Sequence, residues 1–390
     1  MGLLFELQKT LFSRFDLSKP FGQIDRDVVF YTYPFESNYE GSRFHLSAPD
    51  SVLAEDLGDG LLASENYFNR LFRYAIFEPV KRKENANAIV LLHGLNERKW
   101  GKYLLWAYKL AEWTGAPVIL FPLANHMNRS PEAWSYPRKM SEVLRKRRDS
   151  YGAIENSSFA NVALSSRVDR SPEVFISSGL QSILDIVELT AKIRSGIHPL
   201  FKAGTGVDFF SYSIGALVTE ILLMANPSGL FSTSKAFLFC GGATFDQMDA
   251  RSRTILDNKA FESLQGFVRS FELVRSSNSL FELFKPFGNS IREVFLSMIS
   301  LENFRPEREY KLKSLANRVR ALGLKLDKVI PGRAILDTFC MGQCKNVAVA
   351  DFDFKYSHEM PFPINDVSVA DKVEQAFQSV FRDASCFLKR

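Results

Sequence analysis

The chain has 390 residues, 46% of them hydrophobic and 24% charged, a globular profile long enough for one large domain with insertions or for two. Its formal net charge of +5 is too small to argue for nucleic acid, and no nucleic-acid partner is expected. Five dispersed histidines form no HExxH, and Cys240, Cys340, Cys344 and Cys386 show no paired metal spacing, so no metal is expected and the cysteines read as buried thiols in a reducing compartment.

The opening stretch "MGLLFELQKTLFSRF" lacks a basic segment followed by a long apolar core, so it does not read as a secretory leader. Leu3, Leu4, Leu7 and Leu11 predict a short amphipathic helix docked on the body of the protein. No apolar stretch reads as long enough to span a bilayer, and a cytoplasmic location is expected. Two runs, "DVVFYTYPF" (27–35) and "RLFRYAIFEPV" (70–80), predict strands that pair as an antiparallel edge. Residues 1–86 thus form an N-terminal helix with edge strands.

From residue 87 the rhythm changes. "NAIVLLHG" is a short apolar strand ending in His93-Gly94, "WGKYLLWAYKLAEWTG" (100–115) has helical spacing and stops at a glycine, and "APVILFPL" is a second buried strand. Strand, helix, strand in this order predicts a parallel sheet with right-handed crossovers. Residues 130–170 are polar without a clear period and read as an insertion. Their basic run "RKMSEVLRKRRDS" (138–150) reads as a solvated helix face. A helix is predicted over 171–196, with Ser171 as its cap and Pro172 in its first turn.

Residues 207–215, "VDFFSYSIG", turn a run of β-formers directly into the apolar stretch "ALVTEILLMANP". Such a corner is either a nucleophile elbow carrying Ser213 or an ordinary strand–turn–helix in which Ser213 caps the helix. The small residues an elbow needs are Gly215 and, where Gly is usual, Ser211. A strand "KAFLFCGG" (235–242) follows, then a Phe-rich helical block over 245–316 with Phe261, Phe267, Phe271, Phe281, Phe284, Phe287 and Phe295. Strands return in "RVRALGLKLD" (318–327) and "NVAVADFD" (346–353), and a helix near 367–386 closes the chain. Asp327 comes directly after the first of these strands. His358 lies in the loop "DFDFKYSHEMPFP" after the second.

A strand–Ser–helix corner, a His-Gly after an earlier strand, an acid after a later strand and a final His in that order resemble the α/β-hydrolase superfamily over about 87–388. The departure is S-x-S-x-G in place of G-x-S-x-G. The resemblance implies an α/β-hydrolase fold, a mostly parallel central sheet flanked by helices. The core would span 87–244 and 317–390, with 245–316 as a helical cap insertion.

It further implies a triad of Ser213, His358 and Asp327, with backbone N–H groups of Leu95 and Ile214 binding an oxyanion. His93 and Gly94 would shape the oxyanion loop, His93 as a structural residue rather than a base. Asp327 has a plain alternative as a turn residue before "KVIP", and His358 as a solvated loop residue. Asp351 and Asp353 are rival acids, but they leave the strand end that leads to His358, the wrong side for the usual acid. His126 and Arg129, in "FPLANHMNRSPEAW" (121–134), are candidate substrate-binding residues for an anionic group. Alternatively Arg129 pairs with Glu97 or Glu132 in a structural loop.

The implied activity is that of a serine hydrolase acting on a carboxylic ester or related small acyl compound, without cofactor. A non-catalytic binding protein on the same fold, or an acyltransferase or lyase on the same triad, are the alternatives.

Overall fold

The computed structural model describes residues 2–39, 67–83, 86–273, 284, 288–339 and 346–390. Helix α1 (Leu3–Arg14) buries Leu4 and Leu11 and packs on the body. Leu3 does not join that face, being 75% exposed. Strands β1 (Phe21–Gln23), β2 (Val28–Glu36) and β3 (Leu71–Pro79) form the antiparallel edge, with Phe30 opposite Phe77. The sequence carries no sign of β1, because three residues are too few to show a period.

The parallel part follows. Strand β4 (Ala88–Leu92) leads into α2 (Gly101–Thr114), which stops at Gly115 in the left-handed region (φ 69°), and then into β5 (Val118–Leu120). Residues 130–170 hold two helices, α3 (Pro137–Tyr151) and α4 (Val162–Arg170), where no period was read. Their apolar faces are short: Met140 and Val143 meet Val162, Ala163 and Trp134 in a small satellite core. The basic run is the exposed side of α3 except at Arg147, which is buried between Asp257 (2.8 Å) and Asp169 (3.0 Å).

Helix α5 (Glu173–Ser195) begins without a side-chain cap; Ser171 contributes only its carbonyl, to the N–H of Val174. By length and composition α5 is long and apolar enough to cross a membrane, which corrects the expectation that no stretch is. Just over half of its most apolar window, 56%, is buried inside the protein.

Strand β6 (Val207–Tyr212), helix α6 (Ile214–Ala225) and β7 (Ala236–Phe239) continue the sheet. The Phe-rich block contributes α7 (Asn258–Leu273), α8 (Gly288–Ser297) and α9 (Arg305–Ser314). Phe261, Phe284 and Phe295 are buried in it, while the side chains of Phe271, Phe281 and Phe287 lie outside the described residues. Then come β8 (Val319–Leu324), the short α10 (Gly332–Thr338), β9 (Val347–Ala350) and α11 (Ala370–Leu388).

Among the described residues nine strands form one sheet in the order β1-β2-β3-β5-β4-β6-β7-β8-β9, parallel from β5 to β9. With helices on both faces this is the α/β-hydrolase fold expected from the sequence. Strand β4 shows how the sheet divides the core. Ala88, Val90 and Leu92 face one apolar cluster with α5, α6 and the Phe-rich block, and Ile89 and Leu91 face another with α1, α2 and α11. Cys240 is buried, but Cys386 is exposed on α11, against the reading of the cysteines as buried; Cys340 and Cys344 lie outside the described residues.

Candidate active site

The corner between β6 and α6 is tight because the chain passes from buried strand to buried helix through one residue. That residue is Ser213, at φ 57° and ψ −125°, a backbone conformation that costs a non-glycine side chain energy. Two glycines make room for it. A Cβ on Gly215 would lie 2.8 Å from Leu92 Cβ and 2.9 Å from the His93 carbonyl oxygen. A Cβ on Gly241, just past β7, would lie 2.9 Å from the Ser213 carbonyl oxygen and would strike Ala216. Sequence reading missed Gly241; the "CGG" after a strand was its one signal.

Ser211 stands where the usual pattern has glycine, and the structure accommodates it. Its hydroxyl is fully buried, 2.6 Å from the hydroxyl of Thr219, which donates to the carbonyl of Gly215 at 3.0 Å. Thr219 has a single proton, so Ser211 is the donor in its pair. The extra oxygen is therefore satisfied within the corner and leaves no orphaned polar group.

Ser213, His358 and Asp327 come together from β6, the loop after β9 and the turn after β8. The Ser213 hydroxyl donates to His358 Nε2 at 2.7 Å, and His358 Nδ1–H donates to Asp327 Oδ2 at 2.7 Å. The other carboxylate oxygen, Oδ1, accepts the N–H groups of Val329 (2.9 Å) and Ile330 (2.8 Å), which lock its orientation. All three residues are buried. Tyr212, not singled out in the sequence, secures the His358 loop: its ring stacks on the imidazole (5.4 Å between centroids) and its hydroxyl donates to the His358 carbonyl. The rival acids are engaged elsewhere, Asp351 with Lys325 and Tyr356, Asp353 with Lys372.

The turn after β4 supplies a candidate donor. The Gly94 N–H is taken by the Tyr103 hydroxyl (3.0 Å), which itself donates to Glu97 (2.8 Å). Among the described residues the N–H groups of Leu95 and Ile214 have no hydrogen-bond partner. Both residues lie on the wall of one almost wholly apolar cavity, with Leu217, Val218 and Ile221 of α6 and Val268, Phe295 and Met298 of the Phe-rich block.

His93 is a structural residue: its Nδ1–H donates to the Gly94 carbonyl and its Nε2 accepts the Leu123 N–H. Burial pushes its pKa down to about 3, so it stays neutral.

Arg129 is not a substrate-binding residue here. Its guanidinium is completely buried, 2.8 Å from Asp185, donates to the carbonyls of Asn69 and Pro122, and lies over the Phe72 ring. Nor does it pair with Glu97 or Glu132, as the structural alternative had it; Asp185, on α5, is the partner. Removing one member of a buried ion pair strands the other charge, at a cost of about 3–5 kcal/mol. Arg129→Ala should therefore lower the melting temperature by many degrees in a thermal melt. An Arg129→Ala protein that melts like wild type would refute this structural role.

Comparison with solved structures finds likenesses at low identity. An arylesterase structure shares 10% identity at a TM-score of 0.44, with 98% of this chain and 90% of that chain covered. A variant of the esterase rPPE gives 10% and 0.44, covering 99% and 89%. A cold-adapted esterase from an Arctic intertidal metagenomic library gives 12% and 0.38, covering 93% and 99%. No curated protein matches the chain. The model of a family of unknown function, DUF6051, matches residues 35–389, and the chain belongs to that family.

Proposed function

We propose that the protein is a serine hydrolase of carboxylic esters with an apolar acyl part, working through Ser213, His358 and Asp327. The single observation that carries this reading is the hydrogen-bonded chain from the Ser213 hydroxyl through His358 to Asp327, with 2.7 Å at both links, set at a strained strand-to-helix corner.

In this reading Ser213 Oγ attacks the acyl carbon while His358 Nε2 takes its proton. The negative oxygen that forms is held by the N–H groups of Leu95 and Ile214, which have no other partner among the described residues. Collapse breaks the ester bond. The alcohol leaves with the proton from Nε2, and the acyl group stays on Ser213. Water repeats the sequence in the same roles and releases a carboxylic acid. Asp327 orients the imidazole and stabilises its charged form. Residues 245–316 act as the cap, whose Val268, Phe295 and Met298 join α6 around the acyl chain.

A fluorophosphonate probe tests the reading directly. We expect one phosphonyl adduct per chain, mapped to the peptide containing Ser213, with release of one fluoride. An adduct mapped to another serine, or a folded protein that takes no label, would refute the assignment.

A further inference from the structure

Helix α5 turns one face to the apolar cavity. Phe175 and Ile176 lie on the wall one turn before Gly179, and Ser182 and Ile183 one turn after it. Gly179, also on the wall, therefore sits at the middle of that face. An interior glycine weakens a helix relative to alanine, so its presence calls for a reason. Close packing does not supply one. A Cβ on Gly179 would meet no atom within 4 Å, whereas one on Gly215 would lie 2.8 Å from Leu92 Cβ. Nor does the backbone require glycine, because Gly179 lies inside a regular helix without a positive φ. What the missing side chain leaves is open space at mid-depth in the cavity.

Helix α6 gives the cavity its length. Its wall residues run from Ile214 through Leu217 and Val218 to Ile221. Seven residues of helix span two turns, about 10 Å. An extended alkyl chain advances about 1.3 Å per carbon for bonds near 1.5 Å, so about eight carbons cover that span.

The polar side chains on the wall are engaged or sealed. The Ser182 hydroxyl accepts the Ala124 N–H and donates to the Ser178 carbonyl, and the Ser178 hydroxyl accepts from Asn125. His126 donates through Nδ1 to the Ala124 carbonyl, and its Nε2 is inaccessible. Burial, then the neighbouring His93, pushes the pKa of His126 down to about 3, so the ring is uncharged at neutral pH. A neutral, sealed imidazole does not serve the anion expected for this loop from the sequence.

We infer that the proposed hydrolase takes esters of unbranched, unsubstituted acyl chains of about eight carbons, and that Gly179 is a specificity-determining residue that keeps the deep half of the cavity open. The inference rests on the hydrolase reading, but the fit of a chain to the cavity can be measured without catalysis.

The test compares kcat/KM over p-nitrophenyl esters from acetate to laurate. In wild type the value should rise about fourfold per methylene, the worth of moving one out of water, and stop rising near octanoate. Side-chain carbons at position 179 should displace the deep methylenes one for one. Gly179→Ala should then cut the octanoate-to-butyrate ratio about fourfold, and Gly179→Leu about a hundredfold. Both variants should melt no earlier than wild type, since a Cβ has space there and each replacement is the better helix former. A flat length profile in wild type, or one that Gly179→Leu leaves unchanged, would overturn the inference. So would a length preference that appears with n-alkyl acetates, in the alcohol part, and not in the acyl part.

Failure of the hydrolase reading looks different. Titrated calorimetrically into the full-length Ser213→Ala protein, 1-octanol should bind more tightly than 1-butanol, and Gly179→Leu in that background should erase the difference. If this difference and its loss are found while Ser213 takes no fluorophosphonate, the cavity holds its chain and the enzyme assignment is what fails.

Discussion

Ser213→Ala should lower kcat for an activated ester such as a p-nitrophenyl ester by about a million-fold, the loss expected when the nucleophile of a triad is removed. The replacement changes one atom. The corner stays tight because its geometry is imposed by Gly215 against Leu92 and His93 and by Gly241 against Ala216. The melting temperature should therefore move by only a few degrees, and circular dichroism should not change. The N–H groups of Leu95 and Ile214 remain, so a residual rate about a thousand-fold above water should persist. A Ser213→Ala protein retaining a tenth of the wild-type rate would mean that another group attacks the ester, and the serine corner would be only a helix start.

Asp327→Asn should cost about ten thousand-fold in kcat with little loss of stability, through the tautomer of His358. The two oxygens of Asp327 have different partners. Oδ1 accepts two backbone N–H groups, from Val329 and Ile330, and Oδ2 accepts Nδ1–H of His358. An asparagine must keep its carbonyl oxygen toward the two N–H donors, because its NH2 group would meet them head-on. The NH2 then faces His358 and donates to Nδ1. This places the imidazole proton on Nε2, toward Ser213, where no lone pair is left to accept the hydroxyl proton. Nitrogen NMR on the variant should find the proton on Nε2 of His358. The loss should shrink above neutral pH if hydroxide replaces the missing base. An Asp327→Asn enzyme of normal activity beside an inactive Asp351→Asn would assign the acid to Asp351, although that residue is exposed and paired with Lys325.

Features that depend on a few adjacent residues were legible in the sequence. The fully apolar run of β4 announced a buried parallel strand, and the runs of β2 and β3 announced an antiparallel pair. The serine corner was legible because a strand period gives way to a helix within one residue. Ser213, Asp327 and His358 were named through the α/β-hydrolase resemblance, which rests on their order after strands that a parallel sheet aligns at one end. Helix α3 was legible only as the solvated face of its basic run, and α4 not at all, because only a thin apolar stripe marks each of them.

What the sequence could not decide were partners and charge states, because both depend on which groups exclude water from one another. The sequence left Arg129 open as an anion receptor or as a structural residue paired with Glu97 or Glu132. Its partner Asp185 lies on α5, and only packing makes the pair a sealed structural one. Ser211 departs from the usual glycine, and only packing shows that Thr219 accepts its proton. Of the two N–H groups after His93, Tyr103 claims that of Gly94 and leaves that of Leu95. His126 is neutral because burial beside His93 removes the solvation a charged ring would need. The sequence by itself determined the succession of the longer strands and helices along the chain, the serine corner and the kind of residue at each strand end. The tertiary structure decided which of those residues meet, since desolvation and hydrogen bonding act across distances in the chain that no local pattern records.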